Sequence, residues 1–157
     1  MAKAEEKTNV MRLLEQAGIA YTAHYYDPNE TRGTAVAALM GEDPDAVFKT
    51  LVTEAPDKSH HVFVIPVAET LDLKKAARAA GVKSIVMIKQ KELLPLTGYI
   101  HGGCSPVGMK KPFPTYIDET ATLFDRFFVS AGKVGAQVEL DPQELADYIG
   151  AAFAELV

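Results

Sequence analysis

The sequence predicts an α+β fold in which a mixed, mostly antiparallel sheet is flanked by helices. The chain has 157 residues, the usual length of one domain, so residues 1–157 are expected to form a single domain. Segments with helical and with strand periodicity interleave along the chain without the regular strand–helix–strand alternation of a doubly wound sheet. Several neighbouring strand segments are separated only by tight turns, which favours antiparallel pairing.

Helices are predicted where apolar residues recur at helical spacing between a capping residue and a glycine or proline. The clearest helix lies over 10–17, where the apolar repeat follows a Thr8 cap and stops at Gly18. Further helices are predicted over 34–41 after a Thr34 cap, over 72–81, over 90–94 before Pro95, and over 141–156. The pair Asp43-Pro44 has the same capping signature, and 27–33 is predicted to be a loop.

Strands are predicted for runs of β-branched, aromatic and other apolar residues bounded by turn residues. These runs are 21–26, 48–53, 60–66, 84–88, 115–117, 126–129 and 136–140. The turn residues 56–58 separate the second run from the third, which predicts a β-hairpin. Pro112 and Pro114 exclude a central strand just before the fifth run.

The composition is that of an ordinary soluble globule, with 48% hydrophobic and 24% charged residues. No apolar run approaches the length of about 20 residues that a membrane span needs, and the charged first residues lack the apolar core of a signal peptide. The single cysteine excludes an intrachain disulfide and a Cys-rich zinc pattern, and it fits a reducing cytoplasm. We therefore expect a cytoplasmic protein with no metal and no cofactor.

Charge is distributed unevenly along the chain. The net charge of −5 argues against a general nucleic-acid binder. Residues 70–111 nevertheless contain eight basic and two acidic side chains, whereas 112–157 contain two basic and eight acidic ones. This asymmetry indicates either one basic face that meets a polyanion or lysine-rich helix surfaces that serve solubility.

The segment 98–111 is a glycine-rich loop that could carry chemistry. Successive N–H groups at Gly102-Gly103 can form an anion-binding nest or an oxyanion hole, although such a pair also occurs in ordinary turns. His101, Cys104 and Ser105 lie in the same loop. Cys104 and His101 could form a nucleophilic pair only if their side chains touch, and inert packing is the commoner role of a lone cysteine.

Lys49 is the most informative single residue. It interrupts an apolar strand in which Val47 and Leu51 are its neighbours on the same face. A lysine on an apolar face is costly unless a charge meets it, so it either points into a polar pocket or reaches water from an edge strand. In a pocket it would supply a fixed positive charge for a phosphate or a developing oxyanion.

Conventional catalytic patterns are absent from the sequence. There is no Gly-x-Ser-x-Gly elbow and no Walker or Rossmann glycine pattern. Ser105 and Ser130 each lie beside a glycine turn, where a hydroxyl could orient a substrate or cap the turn. The residues alone therefore indicate no ordinary nucleophilic, metal or nucleotide-cofactor enzyme.

Four segments, in the same order along nearly the whole chain, resemble bacterial YbaK proteins, which are free-standing Cys-tRNA(Pro) deacylases related to the editing domain of prolyl-tRNA synthetase. The segments are 48–51 (FKTL), 71–77 (LDLKKAA), 97–111 (TGYIHGGCSPVGMKK) and 129–133 (VSAGK). The resemblance implies a barrel-like sheet and hydrolysis of the aminoacyl ester on the tRNA 3′ end.

The resemblance also implies roles for individual residues. Lys49, Gly102 and Gly103 would be catalytic, the lysine lining the pocket and the glycines giving N–H groups to the ester carbonyl. The substrate-binding residues would be Tyr26, Ser105, Ser130 and Gly132. The thiol of the substrate cysteine would attack its own ester, so that no protein nucleophile is needed. The partners would be tRNA and prolyl-tRNA synthetase, with no membrane partner.

Three alternatives stay open at this point. The enzyme could remove alanine or another small amino acid, which would need an activated water because alanine has no thiol. The chain could instead be a non-catalytic module that binds the aminoacylated tRNA end or a synthetase. Finally, Cys104 could be the nucleophile of a thiol hydrolase.

Overall fold

Two β-sheets and five α-helices make up the part of the chain described by this computed structural model, residues 7–29 and 33–157. The helices are α1 (Asn9–Gln16), α2 (Gly33–Met40), α3 (Leu73–Ala80), α4 (Gln90–Thr97) and α5 (Pro142–Ile149). The strands are β1 (Tyr21–Tyr25), β2 (Phe48–Glu54), β3 (His60–Pro66), β4 (Val86–Met87), β5 (Thr115–Asp118), β6 (Phe127–Ser130), β7 (Ala136–Leu140) and β8 (Ala152–Ala154). Two short 3₁₀ helices cover Pro44–Ala46 and Glu119–Leu123.

The smaller sheet has the strand order β1-β7-β6, and both of its pairs are antiparallel. The register aligns His24 with Gln137 and Gln137 with Ser130, so these three residues form one row across one face of the sheet. The opposite face carries apolar residues such as Val129 and Val138 into the core. The polar row therefore lies on the face turned away from that core.

The larger sheet has the order β4-β2-β3-β5-β8. Strands β2 and β3 form the predicted hairpin, which the hydrogen bond from the Ala55 N–H to the Ser59 carbonyl closes. Strand β4 is antiparallel to β2, whereas β5 is parallel to both β3 and β8. Four of the six strand pairs are thus antiparallel, which confirms the mixed, mostly antiparallel α+β fold.

Among the described residues, the two sheets are joined at one backbone bridge, between Val47 and Phe128. The strands therefore do not close into a barrel, and the barrel-like part of the expectation is wrong. Phe48 and Phe127 pack edge to face across the joint, with ring centroids 5.1 Å apart. Residues of β2 and β6 that follow the bridge line a cavity between the sheets.

Two main apolar clusters bury the two faces of the larger sheet. The first fills the space between the sheets and helices α1 and α5; its largest members are Met11, Leu14, Phe48, Ile117, Phe127, Leu140 and Leu145. The second lies under α3 and includes Phe63, Ile65, Ala76, Ile85 and Leu156. Both faces of β3 are therefore covered, in agreement with its nearly uninterrupted apolar sequence.

Three of the predicted α-helix caps are confirmed. The side chains of Thr8, Asp72 and Asp141 accept hydrogen bonds from backbone N–H groups in the first turns of α1, α3 and α5. Glycines in left-handed conformation end α3 and α5. The exception is Thr34: helix α2 already begins at Gly33, so Thr34 lies inside the helix and the prediction that it is the cap is wrong. Residues 30–32 of the predicted loop lie outside the described residues.

The prediction for the last helix is wrong over its second half. Helix α5 ends at Ile149, because Gly150 adopts φ +69° and its N–H bonds to the Ala146 carbonyl. The following residues form β8, parallel to β5. The N–H of Leu156 then donates to the buried carboxylate of Asp118 at 2.9 Å, which fixes the end of this strand.

Two smaller predictions also need correction. Helix α4 continues past Pro95 to Thr97, because a proline this near the end removes only one backbone hydrogen bond and the Thr97 hydroxyl donates to the Leu93 carbonyl. The strand predicted over 84–88 is reduced to the two exposed residues of β4. Among the described helices, none is both long and apolar enough to cross a membrane.

Candidate active site

A cavity of about 270 Å³ lies between β2 and β6, just beyond the bridge that joins the sheets. Its walls come from β2, β6, β7, the end of β1, α2 and the glycine-rich loop. The lining residues are Tyr26, Val36, Val47, Phe48, Lys49, Thr50, Leu51, Val67, His101, Gly102, Cys104, Ser130 and Gln137. A groove of about 480 Å³ near Pro112 and Tyr148 is larger but contains none of the predicted site residues.

The cavity brings together four of the seven residues predicted for the site. They are Tyr26, Lys49, Gly102 and Ser130, which come from segments more than 20 residues apart in sequence. Tyr26 is held by the hydrogen bond from its N–H to the Gly135 carbonyl at 3.0 Å. The chain thus places an ammonium group, two hydroxyls and a glycine amide around one space.

Lys49 provides the positive charge of the cavity. It is half-buried, and no carboxylate of the described residues forms an ion pair with it. Burial lowers the pKa of its ammonium because desolvation disfavours the charged form, and the charge of Glu69 partly opposes this shift. A half-buried cation interacts more strongly with an anionic transition state than the same group would in water.

The two glycines of the loop have different environments. Gly102 lines the cavity with φ +86°, and its N–H meets no acceptor in the described part of the chain. The N–H of Gly103 donates to the Ile100 carbonyl at 2.9 Å. A Cβ at Gly103 would lie 2.9 Å from the backbone nitrogen of Val134, so this glycine allows the two glycine turns to pack closely.

The other predicted substrate-binding residues support the walls and do not line the cavity. The Ser105 hydroxyl is fully buried and accepts the Val107 N–H at 3.2 Å. The Gly132 N–H donates to the hydroxyl of Ser130 at 3.1 Å, which orients that side chain. Gly132 itself lines a separate cavity of about 330 Å³ beside α1.

Thr50 and Gln137 line the cavity but were not predicted from the sequence. Thr50 Oγ1 and Gln137 Oε1 are buried and have no hydrogen-bond partner among the described residues. Gln137 occupies the polar position of an alternating strand, a pattern typical of a solvent-facing side chain. Thr50 follows Lys49 in the motif 48–51, and this position was the one sequence feature that could have identified Thr50 as a site residue.

Cys104 is not an activated nucleophile. Its side chain packs against Val52 and Val62, and burial raises the pKa of the thiol to about 12. At neutral pH the reactive thiolate is therefore very scarce. His101 is exposed, and no hydrogen bond joins it to Cys104 in the described part of the chain.

Comparisons with known proteins identify the family of the chain. A family model described as "Aminoacyl-tRNA editing domain" matches residues 28–148. EbsC of Enterococcus faecalis (strain ATCC 700802 / V583), named as a candidate Cys-tRNA(Pro)/Cys-tRNA(Cys) deacylase, is 44% identical over 156 residues, which cover 98% of this chain and 95% of EbsC.

Solved structures show the same fold. One is described as a candidate trans-editing enzyme for prolyl-tRNA synthetase; it is 25% identical, has a TM-score of 0.85, and the match covers 99% of this chain and 98% of that one. The hypothetical protein APE2540 is 23% identical with a TM-score of 0.87 over 95% of this chain and 99% of its own, a likeness of fold alone. With the family model and EbsC, these matches show that the chain belongs to the aminoacyl-tRNA editing domain family.

Proposed function

We propose that this aminoacyl-tRNA deacylase cleaves the ester of cysteine on tRNA, with Cys-tRNA(Pro) as the mischarged substrate and Cys-tRNA(Cys) as a second substrate of the same chemistry. The observation that carries the proposal is a small cavity in which the described residues offer an ammonium without an ion pair and a peptide N–H without an acceptor, but no activated nucleophile. The name of EbsC, which is 44% identical, points to the same substrates. We also propose that residues 1–157 form one deacylase domain.

The thiol of the substrate is the proposed nucleophile. Its sulfur attacks the carbonyl carbon of its own ester, so that a C–S bond forms and the C–O bond to the ribose breaks. The thiol proton passes to the departing ribose oxygen, and the released cyclic thiolactone is then hydrolysed by water. The protein has to hold the thiol near the carbonyl, which is an effect of orientation.

Lys49 and Gly102 are the proposed catalytic groups because both can stabilise the oxyanion that forms during the attack. The lysine supplies a charge and the glycine a backbone N–H, and neither has a competing partner in the described part of the chain. Gly103 has already donated its N–H, so its proposed contribution is the close packing that positions Gly102. Ser130 and Tyr26 would contact the bound ester.

Two features of the protein argue against its own side chains as nucleophiles. The thiol of Cys104 has a pKa of about 12 and is almost entirely protonated. The hydroxyl of Ser130 accepts the Gly132 N–H, and no hydrogen bond to a carboxylate or histidine activates it among the described residues. Removal of alanine by this cavity would therefore require a water molecule activated by some other means.

Recruitment by prolyl-tRNA synthetase is part of the proposal. A net charge of −5 predicts weak binding of free tRNA, because affinity for nucleic acid depends on neutralising phosphates. A synthetase that holds the mischarged tRNA would supply the missing affinity. Because tRNA and the synthetase are its proposed partners, we propose that the protein acts in the cytoplasm.

The deciding experiment measures the deacylation of Cys-, Ala- and Ser-tRNA(Pro), with and without prolyl-tRNA synthetase. We expect hydrolysis of the cysteinyl ester far above the other two, and a lower KM when the synthetase is present. Equal hydrolysis of Ala-tRNA(Pro) would contradict attack by the substrate thiol.

Replacement of Lys49 by alanine tests the role of the ammonium. We expect K49A to lose about 10²–10³-fold in kcat/KM, the usual effect of removing one oxyanion-stabilising group. The matched control is K58A, in the turn of the same hairpin, where the exposed Lys58 side chain pairs with the half-buried Glu54 carboxylate at 3.4 Å. Full activity of a folded K49A protein would remove the lysine from the mechanism.

A further inference from the structure

The cavity contains two buried oxygen atoms that lack a hydrogen-bond donor in the described part of the chain. They are the hydroxyl oxygen of Thr50 and the amide oxygen of Gln137, and Gln137 as a residue is only 7% exposed. Leaving a buried acceptor unpaired costs free energy, so these two atoms are available to a ligand group that donates hydrogen bonds. The attack of the substrate thiol does not use either atom.

The backbone of Thr50 adds a third acceptor. In an antiparallel pair, the N–H and C=O of one residue point to the same side of the strand, and residues two apart point the same way. The Val52 carbonyl accepts the Ile88 N–H on the outer side of β2, so the Thr50 carbonyl also faces that side. Strand β4 pairs only with Thr53 and Glu54, and no described strand pairs with this edge at Thr50.

We propose that Thr50 and Gln137 bind the α-amino group of the aminoacyl ester, an inference that rests on the proposed deacylase function. An amine has two or three N–H donors, whereas a thiol has one, so within the cysteinyl group the amine alone can satisfy several acceptors at once. Lys49 and Gly102 are donors and match the ester carbonyl oxygen. The cavity would thus hold the two ends of the aminoacyl group with groups of opposite hydrogen-bonding character.

This arrangement makes the enzyme selective for a free α-amino group. An ester without the amine would leave the acceptors of Thr50 and Gln137 unpaired. A site built to hydrogen-bond a group of its ligand strongly rejects analogues that lack this group. Blocking the amine with an acyl group would remove N–H donors and would also introduce a bulky group. The cleanest probe is therefore 3-mercaptopropionyl-tRNA(Pro), which keeps the thiol and the ester of Cys-tRNA(Pro) and lacks only the amine.

The first measurement determines kcat/KM of the wild-type protein for each of these two substrates. We expect kcat/KM for the deaminated ester to be at least about tenfold lower, the size of one lost hydrogen bond to a buried group. Equal values would overturn the inference. In parallel, binding is measured with non-hydrolysable amide analogues of cysteinyl-adenosine and 3-mercaptopropionyl-adenosine. Equal affinities for the two analogues would overturn the inference. This test stays valid if neither ester is hydrolysed, that is, if the deacylase function itself fails.

Variants identify the acceptors. T50V and Q137L should each reduce the preference for Cys-tRNA(Pro) over the deaminated ester by about tenfold, whereas Q137E, which keeps acceptor oxygens, should retain it. The matched control is T53V on the same strand, because the Thr53 hydroxyl is buried but donates to the His61 carbonyl at 2.8 Å.

Folding and selectivity should respond oppositely in the two threonine variants. T53V should lower the Tm and leave the preference unchanged, whereas T50V removes an unpaired hydroxyl and should keep or raise the Tm. If T50V and Q137L slow both esters equally, the acceptors serve the ribose or the structure, and the inference is overturned.

Discussion

At the scale of single residues, burial determines the chemistry of Cys104. Its thiol has a pKa of about 12, so the folded protein should react with iodoacetamide at pH 8 only very slowly, and unfolding in urea should make the reaction fast. Mass spectrometry of the alkylated protein over time measures both rates. Rapid alkylation of the native protein would show that the thiol is accessible and ionised.

The same environment leads us to expect that C104A remains active. The substitution removes a small apolar contact with Val52 and Val62 and no reacting group, so kcat/KM for Cys-tRNA(Pro) should change by less than about threefold. A folded but inactive C104A would revive the hypothesis of a thiol hydrolase.

Gly103 should be sensitive to substitution for a steric reason. In G103A the new methyl group would lie 2.9 Å from the Val134 nitrogen and 3.0 Å from the Lys133 carbonyl carbon, and overpacking of this kind costs about 1–3 kcal/mol. Urea denaturation measures the loss. The control is G81A, where φ is +70° but no atom lies within 4 Å, so that only backbone strain of about 1 kcal/mol is added. Equal losses in the two variants would argue against close packing at Gly103.

The site could be predicted from the sequence only where a residue conflicts with its local pattern. Lys49 stood out because a lysine interrupts an apolar strand, and the structure places it in the cavity. Gln137 occupies the polar position of an alternating strand. Such alternation shows that Gln137 lies on the polar face of the strand, but it does not show which other element covers that face. The different hydrogen bonding of Gly102 and Gly103 depends on the turn that Ile100 closes, which residue identities do not specify.

At the scale of elements, the β2–β3 hairpin should make stability depend on pH. The pKa of His61 is lowered, mainly because burial disfavours the imidazolium; His60 adds to this shift and Asp57 opposes it. The unfolded chain binds this proton near pH 6.5 and the folded chain does not, so the free energy of unfolding should fall as the pH drops below about 6.5.

Urea denaturation at pH 8.0 and pH 5.5 measures this dependence. We expect lower stability at pH 5.5, and a smaller difference in H61Q, whose side chain does not titrate. The range stays above the region in which Asp57 and Asp72 titrate, since the pKa values of both carboxyl groups are lowered from 3.8. The same pH difference in wild type and H61Q would assign the effect to other groups.

Elements with strong local signals agree with their predictions, and the errors arise where tertiary contacts decide. The capped helices α1 and α3 and the hairpin of β2 and β3 follow the sequence pattern closely. Strand β8 was missed because apolar residues continue at helical spacing after Gly150, whereas pairing with β5 determines the observed conformation. The division into two sheets depends on the pairing of distant strands and has no local signature.

At the scale of the whole molecule, the segment after α5 should be essential for stability. Leu156 is fully buried under α3, its N–H donates to Asp118, and its carbonyl accepts the Asp72 N–H at 2.8 Å. We expect L156A to lose about 2–5 kcal/mol of unfolding free energy, the usual cost of such a cavity. L123A is the control, because Leu123 is 79% exposed and should change stability by less than about 0.5 kcal/mol. Similar values for the two variants would mean that residue 156 is not part of the core.

The joint between the sheets has a consequence for motion. One backbone bridge, Val47–Phe128, connects the two sheets in the described part of the chain, and the cavity lies directly beside it. A ligand held by β2 on one side and by β7 on the other would restrict the angle between the sheets. Amide hydrogen exchange should therefore slow in both sheets together when a non-hydrolysable cysteinyl-adenosine analogue binds, including in strands that never touch it.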